Sequence, residues 1–169
     1  GNVPAVVVFD PSKALELYRQ FNRLNAKDYE WLNMEDSFQY LDSVLDQWTE
    51  EMPVKKSKLT LVHNDFNPRN VGVRLDGRLC IYDWELASYN IPQRDVFEFL
   101  AFTLLEDFTT TELESVLKQH FHLMKEWNDT TYSYQNYLDD FKIAGDEFLL
   151  TRVSFYLAGS TLVHYPFIN

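Results

Sequence analysis

His63-Asn64-Asp65-Phe66-Asn67-Pro68-Arg69-Asn70 and, after a short apolar stretch, Asp83-Trp84-Glu85 decide how this chain is read. The pattern is H-x-D-x-x-x-x-N followed by a second Asp. Val71 to Leu75 and Leu79 to Tyr82 are strand patterns, and Asp76-Gly77 between them is a turn signal. Asp-Gly suits a two-residue type I′ turn, because both central residues need φ > 0. With 76 and 77 as the turn, 75 pairs with 78 and 74 with 79, and continuing the count sets Asn70 opposite Asp83. Directly opposed residues have Cβ atoms about 4.5–5.5 Å apart. The expected hairpin therefore brings one amide oxygen and one carboxylate to its open end, with Asp65 in the loop that leads into it.

These residue types suit phosphoryl transfer, which depends on positioning and charge neutralisation more than on covalent chemistry. Mg²⁺ takes hard oxygen ligands, commonly one or two carboxylates with phosphates and water. Asn70 and Asp83 supply such oxygens. Asp65, kept off the metal, can accept the proton of an attacking hydroxyl. His63 is expected to brace the loop rather than to carry chemistry. Any one of the four alone would read as an ordinary loop residue, since short motifs match by chance. Together, on a hairpin, they read as a site.

The motifs resemble those of the aminoglycoside phosphotransferase and choline/ethanolamine kinase superfamily, small-molecule kinases with a protein-kinase-like fold. Asn67-Pro68-Arg69-Asn70 is similar to the aminoglycoside-phosphotransferase form of the loop. His63-Asn64-Asp65 and Asp83-Trp84-Glu85-Leu86-Ala87-Ser88-Tyr89-Asn90 are closer to the choline-kinase form. The resemblance covers residues 60–100. It implies that Asp65 is the catalytic base, with His63 beside it, and that Asn70 and Asp83 hold Mg²⁺ and, through it, ATP. It also implies that Asp95 steadies the catalytic loop from below. Asn64 stands where protein kinases have the Arg of H-R-D, Asp-Trp-Glu replaces D-F-G, and no A-P-E-like segment follows. Protein substrates and activation-loop control are not expected.

Composition agrees. The chain has 169 residues, a formal net charge of −11 and 46% hydrophobic residues, enough for one domain with a sizeable core. The acidic balance argues against nucleic acid, which needs a basic footprint. The longest apolar run, Val6-Val7-Val8-Phe9, is too short for a bilayer, and no secretory or transit signal is visible. The single cysteine, Cys80, cannot form an internal disulfide, so a reducing, cytoplasmic setting is expected.

Along the chain, residues 3–9 read as a buried strand, and Asp10-Pro11 opens a helix carrying Ala14, Leu17, Tyr18, Phe21 and Leu24. Asp36 opens a second helix, ended by Pro53 and the basic run Lys55-Lys56-Ser57-Lys58, which reads as a solvated loop. Leu59 to Val62 is a strand feeding the catalytic loop. After Glu85 the chain is expected to turn helical. Asp95 begins a helix apolar almost all round, hence central and buried, with Asp95 either its cap or a buried carboxylate in need of a partner. Thr109-x-x-Glu112 is a capping box for a helix with Leu113, Val116, Leu117, Phe121, Met124 and Trp127 on one face. His120 and His122 point in different directions on it and read as rim residues. Residues 132–164 read as one or two further helices, with Gly145 and Gly159 marking breaks or close packing.

The expected fold is α+β, mainly helical: a protein-kinase-like C-terminal lobe with a catalytic β-hairpin. It comprises a helical segment 1–58, the catalytic loop and metal-binding hairpin 59–89, and a substrate-side segment 90–169. With five glycines and no G-x-G-x-x-G, the sequence holds no phosphate-covering loop and no strand Lys. The N-terminal nucleotide lobe would then come in cis or in trans, and this chain alone is expected to be inactive. The expected function is ATP-dependent phosphorylation of a hydroxyl on a small-molecule acceptor. Aromatics (Trp127, Tyr132, Tyr134, Tyr137, Phe155, Tyr156, Tyr165) near acids (Glu106, Asp107, Asp139, Asp140, Asp146, Glu147) would suit an amine-bearing acceptor, although most of them fit a core and a solvated surface better. Glu85 is the acid best placed for the acceptor or a second metal. The alternatives are a non-catalytic kinase-like binding module and, more remotely, a helical adaptor.

Overall fold

The computed structural model describes residues 59–105, 107–127 and 131–153, together with Gln20 and Ser43. The strand expected over 3–9, the helices over 11–24 and 36–52 and the basic run at 55–58 lie outside the described residues. So do Glu106, Phe155, Tyr156, Gly159, Tyr165 and the Trp127 side chain. Lys58–Gly145 forms one compact unit and Gly1–Ser57 with Asp146–Asn169 a second. The motif residues all fall in the first.

The described residues are mainly helical with small antiparallel sheets, an α+β composition. Strand β1 (Thr60–Val62) pairs with β4 (Ser88–Asn90), and β2 (Val71–Val73) pairs with β3 (Leu79–Ile81). The β1–β4 ladder matches Thr60 with Asn90 and Val62 with Ser88. Everything from His63 to Ala87 is thus an excursion closed at its base by one ladder, and the β2–β3 hairpin stands inside it. Strand β4 was not expected; Ser88-Tyr89-Asn90 is too short and too polar to announce a strand on its own.

The hairpin register differs from the sequence reading by one residue. Val71 faces Ile81 and Val73 faces Leu79, while Arg74 N–H donates to the Arg78 carbonyl at 2.8 Å. The connection is therefore the three residues Leu75-Asp76-Gly77, with only Gly77 at positive φ, 80°. That is the three-residue hairpin with a left-handed closing glycine, not the two-residue type I′ turn. Asn70 consequently stands opposite Tyr82, whose N–H donates to the Asn70 carbonyl at 3.1 Å. Asp83 is the next residue out.

Helix α1 (Gln93–Thr103) starts at Pro92 without a side-chain cap, so Asp95 lies in its first turn and is not its N-cap. Its buried residues are Gln93, Arg94, Glu98 and Leu100, a more polar set than the apolar run around them predicts. Arg94 and Glu98 form an ion pair at 3.0 Å, one turn apart, so two buried charges neutralise each other. Gln93 donates to the Tyr132 hydroxyl at 2.9 Å. Helix α2 (Thr110–Trp127) has the expected capping box: Thr109 N–H donates to Glu112 Oε2 at 2.8 Å and Glu112 N–H to Thr109 Oγ1 at 3.3 Å. Helix α3 (Tyr134–Phe148) is capped by the Ser133 hydroxyl, which accepts from Asn136 N–H at 3.1 Å.

These helices share a core of Leu100, Leu117, Phe121 and Tyr137, with Val96, Leu113, Met124, Tyr132, Tyr134, Leu138 and Phe141 packed against it. Tyr134 and Tyr137 stack at 5.9 Å, and Phe121 meets Tyr137 edge-on at 5.6 Å, geometries that add to simple area burial. His120 is half-buried at the edge of this core rather than on the open surface. Its Nδ1 lies 2.9 Å from the Tyr137 hydroxyl, and burial holds its pKa below the ordinary histidine value. His122 is exposed.

Gly145 is a close-approach glycine and not a break. A Cβ there would lie 2.6 Å from Cε2 and 2.9 Å from Cζ of Phe97, whose ring packs at 5.2 Å from Phe141. Gly145→Ala is expected to destabilise the protein by about 1–2 kcal/mol: overpacking costs about 1–3 kcal/mol, less the gain of about 0.5–1 kcal/mol from removing a helical glycine. Urea denaturation checks this, and Phe97→Leu added to Gly145→Ala should recover part of the loss.

Candidate functional site

The excursion between β1 and β4 gathers His63, Asp65, Asn70, Asp83 and Glu85, and α1 contributes Asp95. His63 directly follows β1. Its ring is 1% exposed and packs between Trp84, at 4.7 Å, and Phe66, at 6.0 Å. Its Nε2 lies 2.8 Å from the Tyr82 carbonyl. A carbonyl only accepts, so Nε2 carries the hydrogen. His63 thus grips the backbone one residue before Asp83.

Asp95 reaches back from α1. His63 N–H donates to its Oδ2 at 2.7 Å and Asn64 N–H to its Oδ1 at 2.8 Å. One carboxylate therefore binds two successive amides at the entry to the loop. Phe66 stacks on Phe99 of α1 at 5.1 Å, a second hold on the same helix.

The far end of the loop is fixed by Asn67 and Asn70. Asn67 caps the 3₁₀ turn Pro68–Asn70: its Oδ1 accepts Arg69 N–H at 3.1 Å, with Pro68 at the first helical position. Its Nδ2 donates to the Asp65 carbonyl at 3.1 Å, and the side chain is 0% exposed. Asn70 Nδ2 donates at 2.9 Å to both the Asp65 carbonyl and Asp65 Oδ2. Both amide hydrogens of Asn70 are therefore spent on Asp65, which leaves its Oδ1 as an oxygen donor. One Asp65 carboxylate oxygen is pinned, and the residue stays partly exposed.

Asp83 and Glu85 sit in the exposed 3₁₀ turn Trp84–Leu86. Asp83 has φ 66°, and its carboxylate does not cap the turn. Among the described residues, Asn64 and Asp83 are the non-glycine residues at positive φ. That backbone region costs most residues strain, and Asn and Asp bear it best. Both lie in the candidate site.

Sequence reasoning named His63, Asp65, Asn70, Asp83, Glu85 and Asp95, and the structure sets His63, Asp65, Asn70 and Asp95 in one hydrogen-bonded group. Asp83 and Glu85 adjoin it through the Tyr82 backbone. It missed Asn67, although Asn-Pro is a helix-start signal. It also missed the Asn64 side chain, for which no local signal exists. On the helical side, Tyr137 is 0% exposed, and Tyr132 donates to Asp140, which is itself buried. Burial first, and the Asp140 carboxylate second, push the Tyr132 hydroxyl well above the ordinary tyrosine range, so it stays protonated and keeps that bond. Tyr132, Tyr134, Tyr137 and Asp140 are thus committed to packing.

By chemistry the donor set fits a magnesium ion, which takes hard oxygens: one amide oxygen, on Asn70, and one exposed carboxylate, on Asp83. Among the described residues no cluster of three or more His, Cys, Asp or Glu side chains is arranged around a common point, and none is needed for an ion held largely by its substrate. No described helix is long and apolar enough to cross a membrane.

A sequence model of the phosphotransferase enzyme family matches residues 7–129, well over half of the chain. No curated protein matches it.

Proposed function

The chain belongs to the phosphotransferase enzyme family, and from that premise we propose that it is the C-terminal, kinase-like lobe of an ATP-dependent enzyme that phosphorylates a hydroxyl on a small molecule. The observation that carries this reading is the pair of hydrogen bonds from Asn70 Nδ2 to Asp65. They orient the carboxylate and the amide oxygen together, which supports reading Asp65 as the base and Asn70 as a metal ligand. Asp65 is the base. As the acceptor oxygen bonds to the γ-phosphorus of ATP, the bond from phosphorus to the ADP oxygen breaks and the hydroxyl proton passes to Asp65. Asn70 and Asp83 would hold Mg²⁺, which when bound would neutralise the phosphate charge. His63 and Asp95 keep the loop in place, and Asp95 does so without contacting the reacting atoms.

The hairpin face carrying Val73, Leu79 and Ile81 is exposed, as expected of a surface that a nucleotide lobe covers. The acceptor is a small alcohol. With Tyr132, Tyr134, Tyr137 and Asp140 committed to packing, an amine on it would be met by Glu85, an exposed carboxylate beside Asp83.

The test is a screen of the intact protein for Mg²⁺-dependent ATP consumption against aminoglycosides, choline, ethanolamine and neutral polyols. Turnover is expected with at least one, the amine-bearing acceptors first. Turnover confined to neutral acceptors refutes the amine but keeps the kinase. No Mg²⁺–nucleotide binding at all refutes the kinase in favour of a non-catalytic binding module.

A further inference from the structure

We propose that Asn64 is a positioning residue whose side-chain amide sets the distance between the base loop and the metal-bearing turn. Its Nδ2 donates to the Leu86 carbonyl at 3.2 Å. Its neighbour His63 holds the Tyr82 carbonyl at 2.8 Å. Two consecutive residues thus grip the backbone immediately before Asp83 and immediately after Glu85, and Asp65 is the next residue along. Asp83 and Glu85 are carried between two points fixed to the base.

The turn needs this outside hold. Among the described residues its own hydrogen bonds are Ala87 N–H to the Trp84 carbonyl at 3.1 Å and Trp84 Nε1 to the Ile81 carbonyl at 3.0 Å. Asp83 enters it at φ 66° and its carboxylate makes no cap bond, which keeps the carboxylate available, and among the described residues the turn itself gives its far end at Leu86 no side-chain hold. Asn64 supplies one from across the site. To do so it adopts φ 59° while its N–H stays on Asp95 at 2.8 Å. An amide side chain that both tolerates left-handed backbone and donates a hydrogen bond meets these demands. Gly meets only the first, Ala neither, and Asp would set a carboxylate against a carbonyl oxygen.

This inference rests on the proposed phosphotransferase reading, and the variants separate the two. Asn64→Gly keeps the backbone and removes the tether. In the intact protein, kcat is expected to fall about 10- to 100-fold, the range typical when an outer hold on metal ligands is lost. The Mg²⁺ concentration for half-maximal rate should rise, KM for the acceptor should stay near that of the parent, and thermal unfolding should be little changed. Amide hydrogen exchange at Glu85–Ala87 should quicken. Asn64→Ala should show the same kinetic defect with an added loss of stability. An active parent with an Asn64→Gly variant of unchanged kcat and Mg²⁺ requirement overturns the tether. So does a loss of activity that only tracks a smaller folded fraction. A parent that transfers no phosphate with Mg²⁺ and any acceptor overturns the functional reading and, with it, any catalytic meaning of Asn64.

Discussion

Asp65→Ala is expected to lower kcat of the intact protein by about 10²–10⁴-fold, the usual contribution of a positioned general base, while nucleotide affinity changes little. The split follows from geometry. Asp65 touches Asn70 through Oδ2, which on the proposed reading leaves its other oxygen for the acceptor hydroxyl. Asn70 retains its bond to the Asp65 carbonyl after the substitution, because that acceptor belongs to the main chain, so the proposed metal ligand is only half released. Asp65→Asn is the sharper comparison. It preserves shape but cannot take a proton, and its one amide oxygen can still accept from Asn70 Nδ2. Asp83→Ala should behave differently, weakening Mg²⁺–nucleotide binding together with turnover. Steady-state kinetics and equilibrium nucleotide binding on the same preparations distinguish the two. An Asp65→Ala enzyme with near-normal kcat would remove Asp65 from the role of base.

The grouping of the candidate residues was more legible in the sequence than the path of the chain through them. His63, Asp65 and Asn70 are close in sequence, so local spacing was enough to read them as one group. The hairpin was legible too, but not its register. Asp76-Gly77 marks a turn, yet whether two or three residues close it depends on which take positive φ. Only Gly77 does, and the one-residue shift exchanged Asp83 for Tyr82 opposite Asn70. Helix α1 shows the other limit. Its apolar run predicted an apolar interior, whereas Gln93, Arg94 and Glu98 are buried. Burying polar groups is tolerable only when partners are supplied, and one of these, Tyr132, lies in a distant part of the chain. Asn64 is the same case: nothing near it in sequence reveals that its amide meets Leu86.

Asp95→Ala is expected to cost about 3–6 kcal/mol of stability, since a hydrogen bond to a charged acceptor contributes about 1.5–3 kcal/mol and two are lost. The N–H groups of His63 and Asn64 would both lose their acceptor, and His63 is 1% exposed, so water cannot readily replace it. The loop would be left with the Phe66–Phe99 stack as its remaining described ring contact to α1. Turnover should fall with it, because Asp65 follows directly on the two released amides. Should the Ala variant fail to fold, Asp95→Asn separates stability from positioning. An amide has one oxygen to offer, so one of the two N–H donors keeps a partner while the other faces the NH₂ group. That variant should unfold at lower denaturant concentration than the parent yet remain folded in buffer, with kcat reduced and nucleotide binding largely kept. Urea titration and kinetics together decide the matter. A folded Asp95→Asn protein with the parental kcat would show that the catalytic loop holds its shape without this carboxylate, and that Asp95 supports the helix rather than the site.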